Sequence, residues 1–418
     1  MTHTARSFAL FGNFFFIILA YYLIKPASRS IFLDHFSADQ LPYVWIGSAV
    51  LLGLLIPIYG KLVDNLDRRQ LVVASCGLFS VLVCGFGLLF RFGFSSPGLA
   101  AAFYILADIL SVMLVEQFWS LANSSYTSQS SSRWYGIVGS GGLVGGLVGG
   151  AIATWLLQNT PLVTYDLLLV SSALLACMGI YLFVLSRREL FAEIKIPILP
   201  PGLESALSFR KLIRNRYLIL IVVTVLLSQL VEPIVEYQFM SMVEIHYTDR
   251  ELRTEFLSGF LSVLGGLALA INLLVTPLVL RRLGAVTGMM FQPVLLILSS
   301  IAFNSNPGLV SGAIMKIGDR GLSYSLNRAA KEMLYIPMEP ALIHRAKAMI
   351  DMFGYRLFKI IGSVLVLVMT QWASVHWLPA DFSLIVIPAC LIWILVAILL
   401  SGDYRHMLDK EIAGHPAT

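Results

Sequence analysis

The stretch Lys316-Ile-Gly-Asp319-Arg320-Gly-Leu-Ser-Tyr-Ser-Leu-Asn-Arg328-Ala-Ala-Lys331-Glu332 places charged side chains where the spacing of apolar segments predicts a membrane span. A charge at the bilayer centre costs about 2.5–3.5 kcal/mol on insertion scales, so ionisable residues in spans usually face a polar cavity and mark a pathway. We therefore expect this chain to move a polar solute through the membrane rather than to act as an anchor.

The composition places most of the chain in a bilayer. Of its 418 residues, 58% are hydrophobic, and the mean hydropathy is +0.82. Apolar segments of the roughly 20 residues that a spanning helix needs recur along the whole length, and they are too long and continuous for β-barrel strands. We predict an all-α membrane protein with about twelve transmembrane helices, near residues 7–26, 41–63, 70–92, 98–120, 135–157, 162–185, 217–240, 255–280, 284–304, 307–328, 346–370 and 381–402.

A charged, proline-containing segment at residues 187–216 divides the predicted spans into six and six. This layout is typical of carriers built from two parallel repeats, with the substrate site near the bilayer midplane between them. We expect an N-terminal half at 1–186, a cytoplasmic linker at 187–216, a C-terminal half at 217–403 and a cytoplasmic tail at 404–418.

The loop charges predict the orientation. The loop at 61–69 and the linker carry several Lys and Arg residues, whereas the loops near 157–164, 304–307 and 371–380 carry none. Because Lys and Arg concentrate in cytoplasmic loops, we expect the linker and both termini to be cytoplasmic. The first apolar run lacks a signal-peptidase cleavage pattern, so we expect it to remain as the first span.

The loop after the second span, Gly60-Lys61-Leu-Val-Asp64-Asn-Leu-Asp67-Arg68-Arg69, resembles the loop motif of major facilitator transporters. The resemblance implies a major facilitator-like, pseudo-symmetric bundle of six plus six helices. An aspartate here can pair with a basic side chain or a helix N-terminus and lock one face closed. An ordinary positively charged cytoplasmic loop explains the same residues, and both interpretations stay open.

Acidic and basic side chains recur inside predicted spans one, four, seven, ten and eleven. The resemblance to major facilitators implies that spans one, four, seven and ten line the cavity. We expect roughly half of these charges to form structural ion pairs, since buried charges are normally paired whatever their role. The surplus of Lys and Arg favours an anionic solute.

In span one, Lys25 and Arg29 lie on one helical face if Pro26 only kinks the helix. They can form an anion-binding pair, or they can be residues that snorkel to the membrane interface.

No catalytic motif is present. The chain has no GxxxxGK[ST], HExxH or GxSxG pattern, and its cysteines stand singly in apolar runs, without the spacing of metal ligands. We predict no enzyme, no catalytic residue, no metal site and no cofactor. The glycines of the fifth span, between residues 139 and 150, predict close helix packing.

The segments Tyr324–Pro337 and Arg345–Asp351 resemble the ATP/ADP translocase family, the nucleotide transporters of plastids and obligate intracellular bacteria. Phe118-Trp119-Ser-Leu-Ala-Asn123 agrees with its bacterial members, and the likeness covers nearly the whole chain. The resemblance implies nucleotide exchange, such as ATP for ADP, across a bacterial inner membrane. It also implies that two basic and two acidic residues in the spans are essential.

Local alignment to that family selects site residues. Arg29 resembles the first basic position, with Lys25 as a competitor, and Lys331 resembles the second. Asp108 and Glu236 resemble the acidic positions. The predicted substrate-binding set is Lys25, Arg29, Asp108, Glu236, Arg328 and Lys331. The predicted gating or ion-pairing set is Asp64, Arg68, Glu116, Glu232, Asp319, Arg320, Asp351 and Arg356.

The chain departs from the family pattern at two places. Pro26-Ala-Ser-Arg29-Ser replaces the usual Arg-Asp pairing after the first span, and Tyr237-Gln-Phe-Met-Ser-Met242 replaces a lysine-rich stretch.

The leading prediction is an inner-membrane secondary transporter of an anionic, phosphorylated solute such as ATP or ADP, working by alternating access. The alternatives are a proton-coupled carrier of a non-nucleotide organic solute and a non-transporting scaffold. We expect a monomer in the lipid bilayer that binds no nucleic acid.

Overall fold

The structure, a computed structural model, describes residues 3–65, 68–125, 128–186, 215–335, 338, 354–374 and 377–414. Regular secondary structure in these ranges is entirely helical, so the predicted all-α class is confirmed. The helices are α1 (His3–Leu33), α2 (Leu41–Asn65), α3 (Arg68–Arg91), α4 (Pro97–Ser125), α5 (Ser128–Asn159), α6 (Thr164–Ser186), α7 (Arg216–His246), α8 (Arg250–Ala270), α9 (Thr276–Ser305), α10 (Leu309–Leu322), α11 (Arg328–Leu334), α12 (Tyr355–Leu367) and α13 (Ser383–Gly414). A 3₁₀ turn covers Ala38–Gln40, and π-helical segments cover Ile271–Val275, Ser323–Asn327 and Val368–Trp372.

Ten segments of the described chain are long and apolar enough to cross a membrane. The longest, Arg250–Ser305, covers the two spans predicted at 255–280 and 284–304, because α8 continues into α9 through a π-helical segment. The predicted span at 307–328 is not among the ten, because Lys316, Asp319 and Arg320 make it too charged for an apolar span. It forms the 14-residue α10 and the π-helical segment that follows. The count of twelve spans therefore stays a prediction.

A single glycine separates the two spans inside this long segment. Gly284 has φ 82° and ψ 172°, so α9 consists of two helical parts that meet at a kink. Side chains with a Cβ rarely adopt a positive φ, whereas glycine does so without steric cost. The kink falls where the sequence predicts the loop between the eighth and ninth spans.

The chain divides into two compact units, each with its own apolar core. The first unit comprises Met1–Ser37, Gly47–Pro197 and Tyr247–Leu269, and the second comprises Ala38–Ile46, Ile198–His246 and Ala270–Thr418. Helix α8 therefore belongs to the first unit, although it follows the linker in the sequence. The predicted linker lies outside the described residues apart from its last two positions, and the six-plus-six division stays a prediction.

The predicted close packing of the glycine-rich helix α5 is confirmed. A Cβ added at Gly141 or Gly145 would lie 2.5 Å from a backbone carbonyl oxygen of α1. A Cβ added at Gly150 would lie 2.6 Å from the carbonyl oxygen of Ser258 in α8. Small residues at three- and four-residue spacing let membrane helices approach to backbone contact, so α5 lies directly against two neighbours.

We expect Gly145→Ala to lower the melting temperature of the detergent-purified protein. The added methyl group clashes with backbone that cannot rotate away, and such overpacking typically costs about 1–3 kcal/mol. The control is Gly136→Ala in the same helix, because a Cβ there meets no atom within 4 Å. That variant should be neutral or slightly more stable, since alanine favours helix by up to about 1 kcal/mol over glycine. Equal melting temperatures for the two variants would contradict the packing role of Gly145.

Candidate functional site

A buried lysine lies between two carboxylates in the second unit. The Lys316 Nζ atom is 2.7 Å from Glu236 Oε2 in α7 and 3.2 Å from Asp319 Oδ2, one turn further along α10. The Lys316 and Asp319 side chains are 5% and 3% exposed. The helical period places Lys316 and Asp319 on one face, and α7 supplies Glu236. One cation thus serves two carboxylates at this buried position.

Glu232, one turn before Glu236 in α7, shows the reverse arrangement, in which one carboxylate pairs with two cations. Glu232 Oε1 is paired both with Arg320 Nη2 of α10 and with Lys359 Nζ of α12, the latter at 3.5 Å. Arg320 also approaches Asp319, with 3.6 Å between Nε and Oδ2. Glu232 and Glu236 are four residues apart, so they share a helix face and link the two groups. We call the six residues Glu232, Glu236, Lys316, Asp319, Arg320 and Lys359 the ion-pair network.

The two ends of the ion-pair network differ in how cations and carboxylates are shared. Its three cations and three carboxylates balance overall, but two cations share Glu232 at one end and two carboxylates share Lys316 at the other. The cationic end is the more accessible one, since Arg320 and Lys359 are 21% and 33% exposed. A charged side chain avoids hydrocarbon and faces the bundle interior or a water-filled cavity. The more accessible end of the network therefore presents an arginine and a lysine side by side at Glu232.

Gln292 of α9 fixes the buried carboxylate of the network. Its Nε2 donates to the Asp319 backbone oxygen at 3.1 Å and is 3.3 Å from Asp319 Oδ1. Its Oε1 accepts a hydrogen bond of 2.6 Å from Asn327 Nδ2, in the π-helical segment after α10. Single π-helical turns inside longer helices are frequent at functional sites. Gln292 thus connects the network to the irregular turn between α10 and α11.

The first unit contains a separate buried ion pair. Arg29 Nη2 of α1 lies 3.1 Å from Asp108 Oδ1 of α4, and the two side chains are 9% and 14% exposed. Arg29 also donates to Ser28 Oγ at 3.0 Å, and its guanidinium carbon is 4.5 Å from the centre of the Tyr104 ring. Ser48 donates to the second oxygen of Asp108 at 3.4 Å. The structure therefore joins two residues that the sequence identifies separately.

The structure also describes five other predicted positions. Helix α1 continues through Pro26, and Lys25 Nζ is 5.8 Å from the ring centres of both Tyr21 and Tyr22. Lys331 Nζ donates to the Tyr355 hydroxyl at 2.7 Å. Three further predicted residues are described on their helices: Glu116 and Arg328 are exposed, and Arg356 is half-buried. Asp351 and the side chains of Asp64 and Arg68 lie outside the described part of the structure.

Several residues at the centre of these arrangements are absent from the predicted site. Lys316 and Lys359 lie in charged spans, but the sequence alone does not say which carboxylates they meet. The spacing of Lys316 from Asp319 and Arg320 is a usable signal, because it places all three within one helical turn. Gln292, Ser48 and Tyr104 are ordinary neutral residues in apolar runs, and only the fold brings them to the charges.

Comparison with known proteins gives two matching family models. The model for the Major Facilitator Superfamily matches residues 10–327, and the model for the TLC ATP/ADP transporter matches residues 308–404. ADP,ATP carrier protein 1 of Chlamydia muridarum is 26% identical over 303 residues, which cover 63% of this chain and 57% of that protein. ADP,ATP carrier protein 4 of Rickettsia conorii is 24% identical, over 73% of this chain and 68% of that protein. This chain thus spans little more than half the length of the chlamydial relative.

The fold also matches solved structures of membrane carriers. The crystal structure of a D-xylose–proton symporter superposes with a TM-score of 0.64 at 14% identity, covering 94% of this chain and 96% of that one. At this identity the likeness is one of fold. Together with the apolar helices, it identifies the chain as a multi-pass, all-helical membrane protein.

We expect Lys316→Met to destabilise the protein by about 3–5 kcal/mol, the usual cost of removing one partner from a buried ion pair. The variant leaves the buried Glu236 and Asp319 carboxylates without their shared cation. Adding Asp319→Asn should restore part of the lost stability, because one of the two carboxylates is then neutral. Thermal unfolding in detergent measures both effects.

The matched control is Arg216→Gln, which breaks the 3.2 Å pair with Asp403, where the arginine is 71% exposed. Exposed pairs contribute about 0–1 kcal/mol, so this variant should unfold close to wild type. A Lys316→Met variant as stable as Arg216→Gln would show that the buried charges need no internal cation.

Proposed function

This chain belongs to the Major Facilitator Superfamily, and we propose that it is a secondary transporter that exchanges phosphorylated anions of the nucleotide type. The carrier is proposed to lie in a bacterial inner membrane. From the loop charges, we place both of its termini in the cytoplasm. Such a carrier performs no covalent chemistry, so its charged residues serve binding and conformational change.

The similarity to nucleotide carriers supports the choice of substrate. The segment that matches the TLC ATP/ADP transporter model, residues 308–404, contains four of the six members of the ion-pair network: Lys316, Asp319, Arg320 and Lys359. The relatives from Chlamydia and Rickettsia carry the name ADP,ATP carrier. The part of the chain that resembles nucleotide transporters therefore supplies most of the ion-pair network.

The two basic side chains at the accessible end of the network carry the proposal. Arg320 and Lys359 converge on one carboxylate oxygen of Glu232, so a phosphate that displaces this carboxylate meets two adjacent basic groups. Arginine presents a planar fork that matches phosphate oxygens, and lysine adds a compact charge. We propose that these two side chains bind the phosphate groups of the substrate. When no substrate is bound, Glu232 takes the place of the phosphate as their partner.

The same arrangement favours exchange over one-way movement. A charge that loses its counter-ion in a low-dielectric environment is costly. An anion bound at Arg320 and Lys359 offsets their charge while their surroundings change, so the loaded carrier changes conformation more readily than the empty one. Each turnover then requires an anion in both directions.

The buried pair of Arg29 and Asp108 is assigned to the conformational change. Its two charges neutralise each other, so it contributes little net attraction for an anion. A buried ion pair costs about as much desolvation as it returns in attraction, and it can therefore exchange partners at small net cost. Lys25 and Lys331 remain proposed as further contacts for the anion, with Glu236 as the acidic partner in the second unit.

The test is uptake of labelled ATP into liposomes that contain the purified protein and internal ADP. We expect Arg320→Gln and Lys359→Gln each to reduce exchange at least about tenfold, since a hydrogen bond to a charged group contributes about 1.5–3 kcal/mol. Arg216→Gln, at an exposed pair away from the network, should exchange at the wild-type rate.

Liposomes without internal nucleotide form the second arm of this test. The proposed exchanger takes up no ATP into empty liposomes, with or without an imposed pH gradient. Uptake driven by the gradient alone would identify a proton-coupled carrier instead. Full exchange by the Arg320→Gln and Lys359→Gln variants would contradict the assignment of the phosphate contacts.

A further inference from the structure

Gln292 of α9 holds both ends of the π-helical turn that follows α10. Its side chain is 1% exposed. Its Nε2 donates to the Asp319 backbone oxygen at 3.1 Å and lies 3.1 Å from Ser323 Oγ, and its Oε1 accepts a hydrogen bond of 2.6 Å from Asn327 Nδ2. Ser323 begins the π-helical turn and Asn327 ends it, so one neutral side chain braces the whole turn.

Gln292 also orients the Asp319 carboxylate. Its Nε2 lies 3.3 Å from Asp319 Oδ1, whereas two cations lie at the other oxygen. Oδ2 is 3.2 Å from Lys316 Nζ and 3.6 Å from Arg320 Nε. A glutamine amide donates hydrogen bonds without carrying charge, so it directs the carboxylate and leaves the negative charge to these cations. A lysine or arginine at position 292 would instead compete with them for Asp319.

The Asp319 carboxylate in turn holds one edge of the Arg320 guanidinium. Nε of Arg320 faces Asp319, and Nη2 is paired with Glu232. A phosphate that displaces Glu232, as proposed above, removes the Nη2 contact. Of the ion pairs that the structure describes at Arg320, the one with Asp319 then remains to keep the guanidinium in place.

We propose that Gln292 is a positioning residue for the binding of phosphate, which acts through Asp319 to hold the Arg320 guanidinium in its binding geometry. Gln292 is buried, so it acts on the anion only through these partners. The inference rests on the proposed function, because it assumes that Arg320 binds phosphate. An arginine side chain that is ordered before the anion arrives loses less freedom on binding, and such preorganisation raises affinity.

The first experiment measures ADP exchange by the Gln292→Met carrier in liposomes. Methionine is unbranched and fills irregular space, but its thioether is only a weak hydrogen-bond acceptor. We expect the KM for external ADP to rise several-fold, while the maximal rate per folded carrier stays close to wild type. A purely structural role would instead reduce the amount of active carrier, and hence the maximal rate, at an unchanged KM. An unchanged KM would overturn the proposal.

The matched control is Ser300→Ala, two turns further along α9. Ser300 is also fully buried, and its Oγ lies 3.6 Å from Met315 Sδ in α10. It therefore joins the same two helices without contacting the ion-pair network, and its KM should equal that of wild type.

A second pair of variants tests whether the effect passes through Arg320. In an Arg320→Gln carrier, Gln292→Met should raise the KM no further, because the side chain that it positions is gone. In a Lys359→Gln carrier, it should raise the KM by the same factor as in the otherwise unmodified protein. Equal factors in the two backgrounds would show that Gln292 does not act through Arg320, and would overturn the proposal.

Chemical labelling gives a readout that needs no nucleotide. Phenylglyoxal reacts with accessible guanidinium groups, and mass spectrometry of peptides measures its rate at Arg320. Arg216, which is 71% exposed, serves as the internal reference in the same molecules. Gln292→Met should raise the rate at Arg320 several-fold and leave the rate at Arg216 unchanged. An unchanged rate at Arg320 would overturn the proposal.

The labelling also separates this proposal from the proposed function. If Gln292→Met changes the labelling of Arg320 but the wild-type protein exchanges no nucleotide, the proposed function has failed and the positioning of Arg320 by Gln292 stands. If the wild-type protein exchanges nucleotide but neither the KM nor the labelling responds to Gln292→Met, the positioning role has failed and the proposed function stands.

Discussion

The cost of placing charge inside a membrane is the constraint on which the rest of this structure depends. The second unit meets it by bringing Glu232 and Glu236 of one helix against Lys316 and Arg320 of another, so that each charge has a partner of opposite sign. Pairing alone explains stability but not why an arginine and a lysine stand together at the accessible end. That clustering of basic side chains is what makes the network a candidate anion site.

Close packing and polar contacts take different places in the first unit. Glycines bring α5 into backbone contact with α1 and with α8, and this closeness places Gln158 beside Glu255. The glycine contacts lie along the length of the helices, whereas the hydrogen bonds from Gln158 to Glu255 and from Thr164 to Glu251 lie at their ends.

The sequence predicts the class of fold and the residue types of the site, but not the partners. Helical period and hydropathy are local properties, so the all-helical membrane class and the close packing of α5 follow from them. Arg29 and Asp108 are both identified from the sequence, yet their 3.1 Å pairing depends on α1 and α4 being neighbours. Arg250 and Arg253 lie at the predicted edge of a span, where ordinary interfacial charge is the simplest expectation. Their contacts with Asp34, more than 200 positions away in the chain, follow only from the fold.

The central claim is that the phosphate groups of the solute, rather than its other parts, are bound by Arg320 and Lys359. Isothermal titration calorimetry of the purified protein with adenosine, AMP, ADP and ATP tests it most directly. The account predicts no measurable binding of adenosine, affinity that increases with the number of phosphates, and weaker binding at higher salt because accessible charges are screened. Adenosine that binds as tightly as ADP, or nucleotide binding that does not change with salt, would contradict it.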